Sequence, residues 1–390
     1  MKDIRHIAAL ALLATSTASA APTLDPAEDG EHFGEPMKFL FWEPDQQVAG
    51  YRNMEKVFPT RQIEASDNAF HLGEDLRDLG EVEMEVEDDA MSVNRFFEQF
   101  SVAGLLVIKN GDVVYERYGL GNTRDSRWVS FSVAKSVTSM LVGAAIKDGY
   151  IESVDESVTD YLPRLKGSSY DQSTIRDILH MASGVRWNED YADPESDLNQ
   201  AEWPTLSLYE YLRHLPRDGE PGQKFNYNTA ETNLVGTLLR SAIGNNLSTY
   251  LSEKIWHPFG MESDANWLLS EPGGGETGGC CISATLRDYG RIGLFAMNNG
   301  RLADGSSPLP DNWMSDSTSP SKGYNGYGYL WWLKDDGSYD ASGIFGQGIY
   351  INPQQNVVIA IHSAREHAST PEDWAWQDAM YEALLKEVSD

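Results

Sequence analysis

The sequence predicts an α+β fold: one antiparallel sheet assembled from both chain ends, helices flanking it, and a helical subdomain inserted between. Three observations carry this. Leu105-Leu106-Val107-Ile108 and Val113-Val114-Tyr115 flank Asn110-Gly111, a dipeptide that tolerates the positive φ angles of a tight hairpin turn. Strand-like runs then return only after 325, at Tyr327 to Leu333, Gly348 to Ile351 and Val357 to His362. Between these ends, residues of about 150–280 are helical and loop-rich.

Residues 1–20 read as a signal peptide. Lys2 and Arg5 precede an apolar run from Ile7 to Ala14, and Ala18-Ser19-Ala20 places small residues where cleavage before Ala21 is expected. That run is too short to span a bilayer, so the mature chain is expected to be exported, periplasmic or secreted, without membrane insertion. Residues 21–90 form an acidic N-terminal extension, with the run Glu81 to Asp89 expected at the surface. The main domain then occupies 91–390. A helix is expected from Ser132 to Asp148, stopped by Gly149. Others run from Ser173 to Met181, from Ala230 to Ile243 before Gly244-Asn245-Asn246, and from Leu286 to Met297. Gly273 to Gly279 is a loop, and the tail from Pro371 is an amphipathic helix with Pro in its first turn.

A chain of 390 residues with 41% hydrophobic content supports a large core, and a formal charge of −30 gives a surface that repels nucleic acid and anionic lipid. Cys280 and Cys281 are adjacent. A vicinal disulfide between them is conceivable but strained, and two small buried side chains are the expected state. No Cys/His cluster has zinc-site spacing, and no metal or cofactor is expected. None of the eight histidines is assigned to catalysis, and His180 reads as structural.

The chemistry is concentrated in Ser132-Val133-Ala134-Lys135, at the start of the apolar run Val133 to Gly143. On a helix, positions three apart share a face, so Lys135 lies beside Ser132. A buried lysine loses solvation, its pKa falls, and it becomes a base able to activate the serine hydroxyl. The helix N-terminus adds N–H groups where negative charge develops. Ser319-Pro320-Ser321-Lys322 repeats the spacing, but Pro320 and Gly323 argue for a loop. Phe225-Asn226-Tyr227-Asn228-Thr229 precedes a helix, and its Tyr227 offers a phenol as proton relay. Ala341-Ser342-Gly343-Ile344-Phe345-Gly346-Gln347-Gly348 is a small-residue edge that lets a carbonyl approach backbone N–H groups. Tyr191 sits on the polar loop Asn188 to Pro194.

Together with Met181-Ala182-Ser183-Gly184 and Ile282 to Gly293, these segments resemble the serine β-lactamase-like hydrolases over about 95–365. Within that family the chain is similar to the branch of 6-aminohexanoate-dimer hydrolases and related esterases. The resemblance implies a β-lactamase-like fold with Ser132 as nucleophile, Lys135 as its base and Tyr227 in the acid–base pair. It implies an oxyanion hole from the backbone N–H groups of Ser132 and Ile344, and substrate contacts at Tyr191, Ser342 and Gly343. Two positions depart from the pattern. Thr229 stands where many relatives have Asn. Ala341 replaces the Lys that binds a β-lactam carboxylate, so poor β-lactamase activity is expected. Glu195-Ser196-Asp197-Leu198-Asn199 matches a β-lactamase loop motif but precedes Tyr227, the wrong order, and reads as coincidence.

Simpler readings exist for several of these residues. A lone tyrosine in such a turn is ordinarily a packed aromatic, and Tyr191 fits a rim position equally. Trp187 fits the core, and of Trp331-Trp332 one ring should face inward and one outward. Two functions follow. One is a hydrolase of esters, then small linear amides, then D-peptides or β-lactams, acting through a Ser132 acyl-enzyme on a small-molecule substrate. The other is a penicillin-recognising sensor that acylates and stalls.

Overall fold

The structure is a computed structural model and describes residues 20–389. The signal peptide expected over 1–20 lies, but for Ala20, outside the described residues. The main sheet has seven strands in the order Trp332–Leu333, Tyr339–Gly343, Gln347–Asn352, Val357–Ser363, Val102–Lys109, Asp112–Tyr118, Gly73–Glu74. Its centre joins the two ends of the chain, with Val107 opposite Ile359 and Leu105 opposite Ile361. Every pairing is antiparallel except that of Gly73–Glu74 with Asp112 and Val113. This is the expected α+β architecture.

Alternation along the strands makes two cores. Leu106, Ile108, Val358 and Ala360 face the helices Val133–Lys147 and Leu286–Met297. Leu105, Val107, Ile359 and Ile361 face the helices Val93–Gln99 and Pro371–Ser389. Side chains of period two thus bury both faces of the sheet.

The extension is woven into this frame rather than appended to it. Thr60–Ile63 pairs with Ala265–Leu268 in a second sheet of four strands that also holds Ile282–Thr285 and Arg127–Val129. One sheet was expected, and this second one corrects that reading. Its strands are four residues or fewer and come from three distant parts of the chain, so no local pattern marked them. The acidic run folds into a hairpin, Glu83–Val86 with Asp89–Ser92, in which only Met84 and Met91 turn inward.

The helices hold with small changes of boundary. Ile175–Leu179 is shorter than expected, because Thr174 caps it and His180 ends it. Thr229–Ile243 closes on Gly244 in the left-handed conformation. The run Tyr327 to Leu333 is not one strand. Leu330 takes a φ of +61°, the backbone reverses, and Tyr327 bridges back to Trp332, leaving only Trp332–Leu333 in the sheet. Trp331 then fills the core and Trp332 faces the cavity described below. Cys280 and Cys281 are joined as a vicinal disulfide, which corrects the expectation of two separate thiols. Cys281 carries the φ of +81° that this ring of adjacent residues accommodates.

Candidate active site

Ser132 is the N-cap of the helix Val133–Lys147, where the chain leaves the strand Arg127–Val129. The preceding Phe131 has a φ of +43°, a strained value for an aromatic residue. Met181, Cys281 and Phe345, which surround the same site, also adopt left-handed backbone. Such strain persists only where the surroundings over-determine it. Here the rings of Phe39, Tyr51 and Phe345 pack on Phe131 at 5.1, 5.1 and 5.2 Å.

One turn along, Lys135 is buried beneath the serine. Its Nζ lies 3.0 Å from Ser132 Oγ, 3.0 Å from Thr229 Oγ1 and 2.7 Å from the carbonyl of Gly279. Burial pushes its pKa down to about 7, and the nearby charge of Glu189 offsets part of that fall. A neutral amine has two N–H bonds and one lone pair. With Thr229 and Gly279 accepting the two N–H bonds, the lone pair is left to face the Ser132 hydroxyl. The glycine-rich segment is needed for this approach, since a Cβ on Gly279 would stand 2.8 Å from the Thr229 carbonyl.

Tyr227 lies on the turn before Thr229–Ile243. Its ring is 5.3 Å from Lys135 Nζ and stacks on Trp332 at 5.7 Å. Burial and Glu189 raise the phenol pKa, and Ser132 beside it pulls the other way. The phenol is therefore a proton donor or relay near neutral pH, not a standing anion.

The expected oxyanion elements meet on the other side of the serine. A Cβ on Gly343 would sit 2.4 Å from the Ser130 carbonyl and 3.1 Å from the Ser132 amide nitrogen. Only glycine lets the end of the strand Tyr339–Gly343 press against the backbone of Ser132, which carries Ile344 to the same edge. Ser132, Tyr191, Tyr227, Ser342, Gly343 and Ile344 all line one cavity of about 1410 Å³. Ser342 Oγ donates to Asp340 Oδ1 at 2.6 Å, and Tyr191 donates to Glu189 Oε1 at 3.0 Å.

Glu189 was missed by sequence reasoning. Its carboxylate accepts from the Thr229 amide at 3.0 Å and from the Thr229 hydroxyl, from Tyr191 and from Trp187 Nε1. It links the Tyr191 loop to the residue that holds Lys135. No spacing rule joins position 189 to position 229. The only signal was its place between Trp187 and Tyr191. Also missed was the wall contributed by the extension, through Leu40 to Pro44 and Gln47.

The decoys fall outside the site. Lys322 is exposed on a loop, and Glu195 points to solvent. Asn199 instead ties the Tyr191 loop together by donating to the carbonyls of Asp193 and Tyr191 at 2.9 and 3.3 Å. His180 packs on Tyr329 with its pKa lowered by burial to about 4, a structural role. Among the described residues no cluster of three or more His, Cys, Asp or Glu could hold a metal ion, and no helix is long and apolar enough to cross a membrane.

Comparison with known proteins agrees with this geometry. The profile of the beta-lactamase family matches residues 93–381. The 6-aminohexanoate-dimer hydrolase of Paenarthrobacter ureafaciens is 29% identical over 287 residues, 67% of this chain and 72% of that protein. A Bacillus anthracis protein described as a candidate 6-aminohexanoate-dimer hydrolase shares the fold with a TM-score of 0.79 and 21% identity, covering 88% of this chain and 94% of that one. A family VIII carboxylesterase does so with a TM-score of 0.55 and 15% identity over 74% and 94%. The chain belongs to the beta-lactamase family, the hydrolase family to which its serine, lysine and tyrosine segments pointed.

Proposed function

We propose that this protein is a serine hydrolase of esters and small linear amides. One observation carries the reading: a buried lysine, its pKa pushed down by burial to about 7, with its Nζ 3.0 Å from a serine hydroxyl. Neutral Lys135 takes the Ser132 proton as Oγ attacks the substrate carbonyl carbon. The resulting oxyanion is held by the N–H groups of Ser132 and Ile344, each such donor being worth about 2.7–4 kcal/mol. The carbonyl then re-forms, the bond to the alcohol or amine breaks, and Tyr227 or Lys135 protonates the departing group. Water attacks the acyl carbon as the same pair takes its proton, the bond to Ser132 Oγ breaks, the pair returns the proton to Oγ, and the acid departs.

Esters come first among substrates, small linear amides second, D-peptides or β-lactams third. The 6-aminohexanoate-dimer hydrolase relative supports the amide class, and the carboxylesterase fold is compatible with the ester class. Export is part of the proposal. Ala21, the residue that would follow signal cleavage, is buried, and its nitrogen donates to Ser101 Oγ at 2.8 Å. The disulfide suits an oxidising compartment.

The test is intact-mass spectrometry during turnover of a short-chain p-nitrophenyl ester. A transient adduct on Ser132 with steady release is expected. A persistent adduct without release would favour the sensor. Absence of both, together with no fluorophosphonate labelling of Ser132, overturns the assignment.

A further inference from the structure

Five consecutive residues, Gly278 to Ile282, brace the serine and the lysine from outside their own helix. The Gly278 carbonyl accepts from Thr138 Oγ1 at 2.7 Å, and the Gly279 carbonyl accepts from Lys135 Nζ at 2.7 Å. The Cys281 N–H donates to the Phe131 carbonyl at 3.4 Å, and the Ile282 N–H donates to Ser130 Oγ at 2.9 Å. One end of the run thus holds the base, and the other holds the two residues before Ser132. The Cys280–Cys281 disulfide sits where these two ends meet.

The bond closes a ring over the peptide group between the two cysteines, so neither residue turns independently of the other. Cys281 has a φ of +81°, in the left-handed region that disfavours every residue but glycine. Such a backbone persists only where something over-determines it, and the covalent ring is one such restraint. The strand Ile282–Thr285 that follows is fixed by pairing on both sides in the second sheet. A turn at Cys281 therefore moves the peptide groups before it, those of Gly279 and Cys280. Cys281 is 1% exposed, whereas Cys280 is only partly buried and is the cysteine open to attack.

We propose that Cys280–Cys281 is a reversible redox site that switches the enzyme, active as the disulfide and inactive as the dithiol. This goes beyond the hydrolase reading and rests on it. A thiolate of an external dithiol attacks Cys280 Sγ, the S–S bond breaks, and Cys281 Sγ leaves and takes a proton. The second thiol of the reagent loses its proton, attacks the reagent sulfur now joined to Cys280 and closes the reagent's own disulfide. Cys280 Sγ leaves and takes that proton. The protein gains two electrons and two protons, and the reagent loses them. Freed of the ring, Cys281 relaxes toward negative φ. The Gly279 carbonyl and the Cys281 N–H then move off Lys135 and Phe131, and the amine loses a partner that fixes it beside Ser132.

The experiment treats the folded protein with dithiothreitol, removed anaerobically before assay so that the reagent does not itself cleave the ester. Intact mass after alkylation in denaturant reports the state of the cysteines. Full reduction should lower kcat on a short-chain p-nitrophenyl ester about tenfold, the scale of one lost hydrogen bond. KM and circular dichroism should stay unchanged, and reoxidation with glutathione disulfide should restore activity. The acidic limb of kcat/KM should move to lower pH, because the Gly279 carbonyl no longer favours the ammonium. Cys280→Ser/Cys281→Ser should match the reduced enzyme with or without dithiol. Cys280→Ser/Cys281→Gly should regain most of the lost kcat, because glycine takes a positive φ without the ring. A disulfide that survives excess dithiol, a fully reduced protein with unchanged kcat, or equal kcat in the two double variants overturns the proposal while the hydrolase stands. So does loss of the circular dichroism signal together with activity, which marks a merely structural bond. If the oxidised protein neither cleaves the ester nor forms acyl-Ser132, the hydrolase reading fails and the switch with it.

Discussion

The Thr229 hydroxyl accepts a hydrogen bond from Lys135 Nζ at 3.0 Å and donates its own to the Glu189 carboxylate. Through it the charge of Glu189 reaches the catalytic amine. That charge raises the lysine pKa against the larger lowering by burial. Glu189→Gln should therefore lower the Lys135 pKa further. Since the base works as the neutral amine, kcat/KM rises with pH through that pKa, near 7 in the wild type. The acidic limb of the profile should move to lower pH in Glu189→Gln. A limb that stays in place or moves up would show that the carboxylate does not act on Lys135.

Replacing Tyr227 by Phe should cost about 10²–10⁴-fold in kcat, the range of a positioned acid–base group. Ser132→Ala should leave a folded protein without turnover. Circular dichroism alongside ester release checks both variants. Full activity in a folded Tyr227→Phe would leave the proton transfers to Lys135 alone.

Glu231 offers a stability test away from the chemistry. It is fully buried, and burial raises its pKa from 4.5 to about 8 while Ser183 donates to it. Between these values the folded chain binds a proton that the unfolded chain has released. Its contribution to stability is therefore complete below about 4.5 and is lost as pH rises through 8. Glu231→Gln mimics the protonated form. Relative to wild type, it should stabilise by on the order of 3 kcal/mol at pH 8 and by much less at pH 4.5. Denaturant melts at the two pH values decide it, and an equal effect at both would rule out the titration.

β-Lactams should be poor substrates. Ala341 is buried in the sheet's inner core, while its neighbours Asp340 and Ser342 face the cavity. Without a lysine to meet the β-lactam carboxylate, a charge-assisted bond of about 1.5–3 kcal/mol is missing, roughly 10–150-fold in rate. Nitrocefin hydrolysis should fall below that of a short p-nitrophenyl ester by at least this factor.

What the sequence revealed and what it hid have physical reasons. Ser132 and Lys135 are legible because one helical turn fixes their geometry locally. The hairpin around Asn110-Gly111 is legible because two residues set its turn. Tyr227 was singled out from its turn before a helix, and the family resemblance was needed to set it beside Ser132 and Lys135. Glu189 and Gln47 escaped altogether: each meets the site through contacts between segments far apart in the chain, and each belongs to a residue type common on surfaces. The strand expected over Tyr327 to Leu333 failed because apolar composition cannot show a reversal at Leu330, whose φ of +61° is set by its surroundings. Trp332 reached the cavity wall through that reversal.

The central pairing of the sheet bears on how the chain reaches its native state. Ser363 Oγ donates to the Phe100 carbonyl across 263 positions of sequence, and Val102–Lys109, paired locally on one side with Asp112–Tyr118, finds its other neighbour only in Val357–Ser363. Closing so long a loop delays the rewarding contacts and slows folding. The serine–lysine helix is thus synthesised long before the strand that anchors it, and it stays without its sheet until the last part of the chain is present. A chain stopped before 357 would contain Ser132, Lys135, Tyr227 and all four strands of the second sheet, yet would lack the strand that joins the two halves of the main sheet. Completion of the polypeptide, rather than synthesis of Ser132, Lys135 and Tyr227, sets the moment at which the main sheet can first close around them.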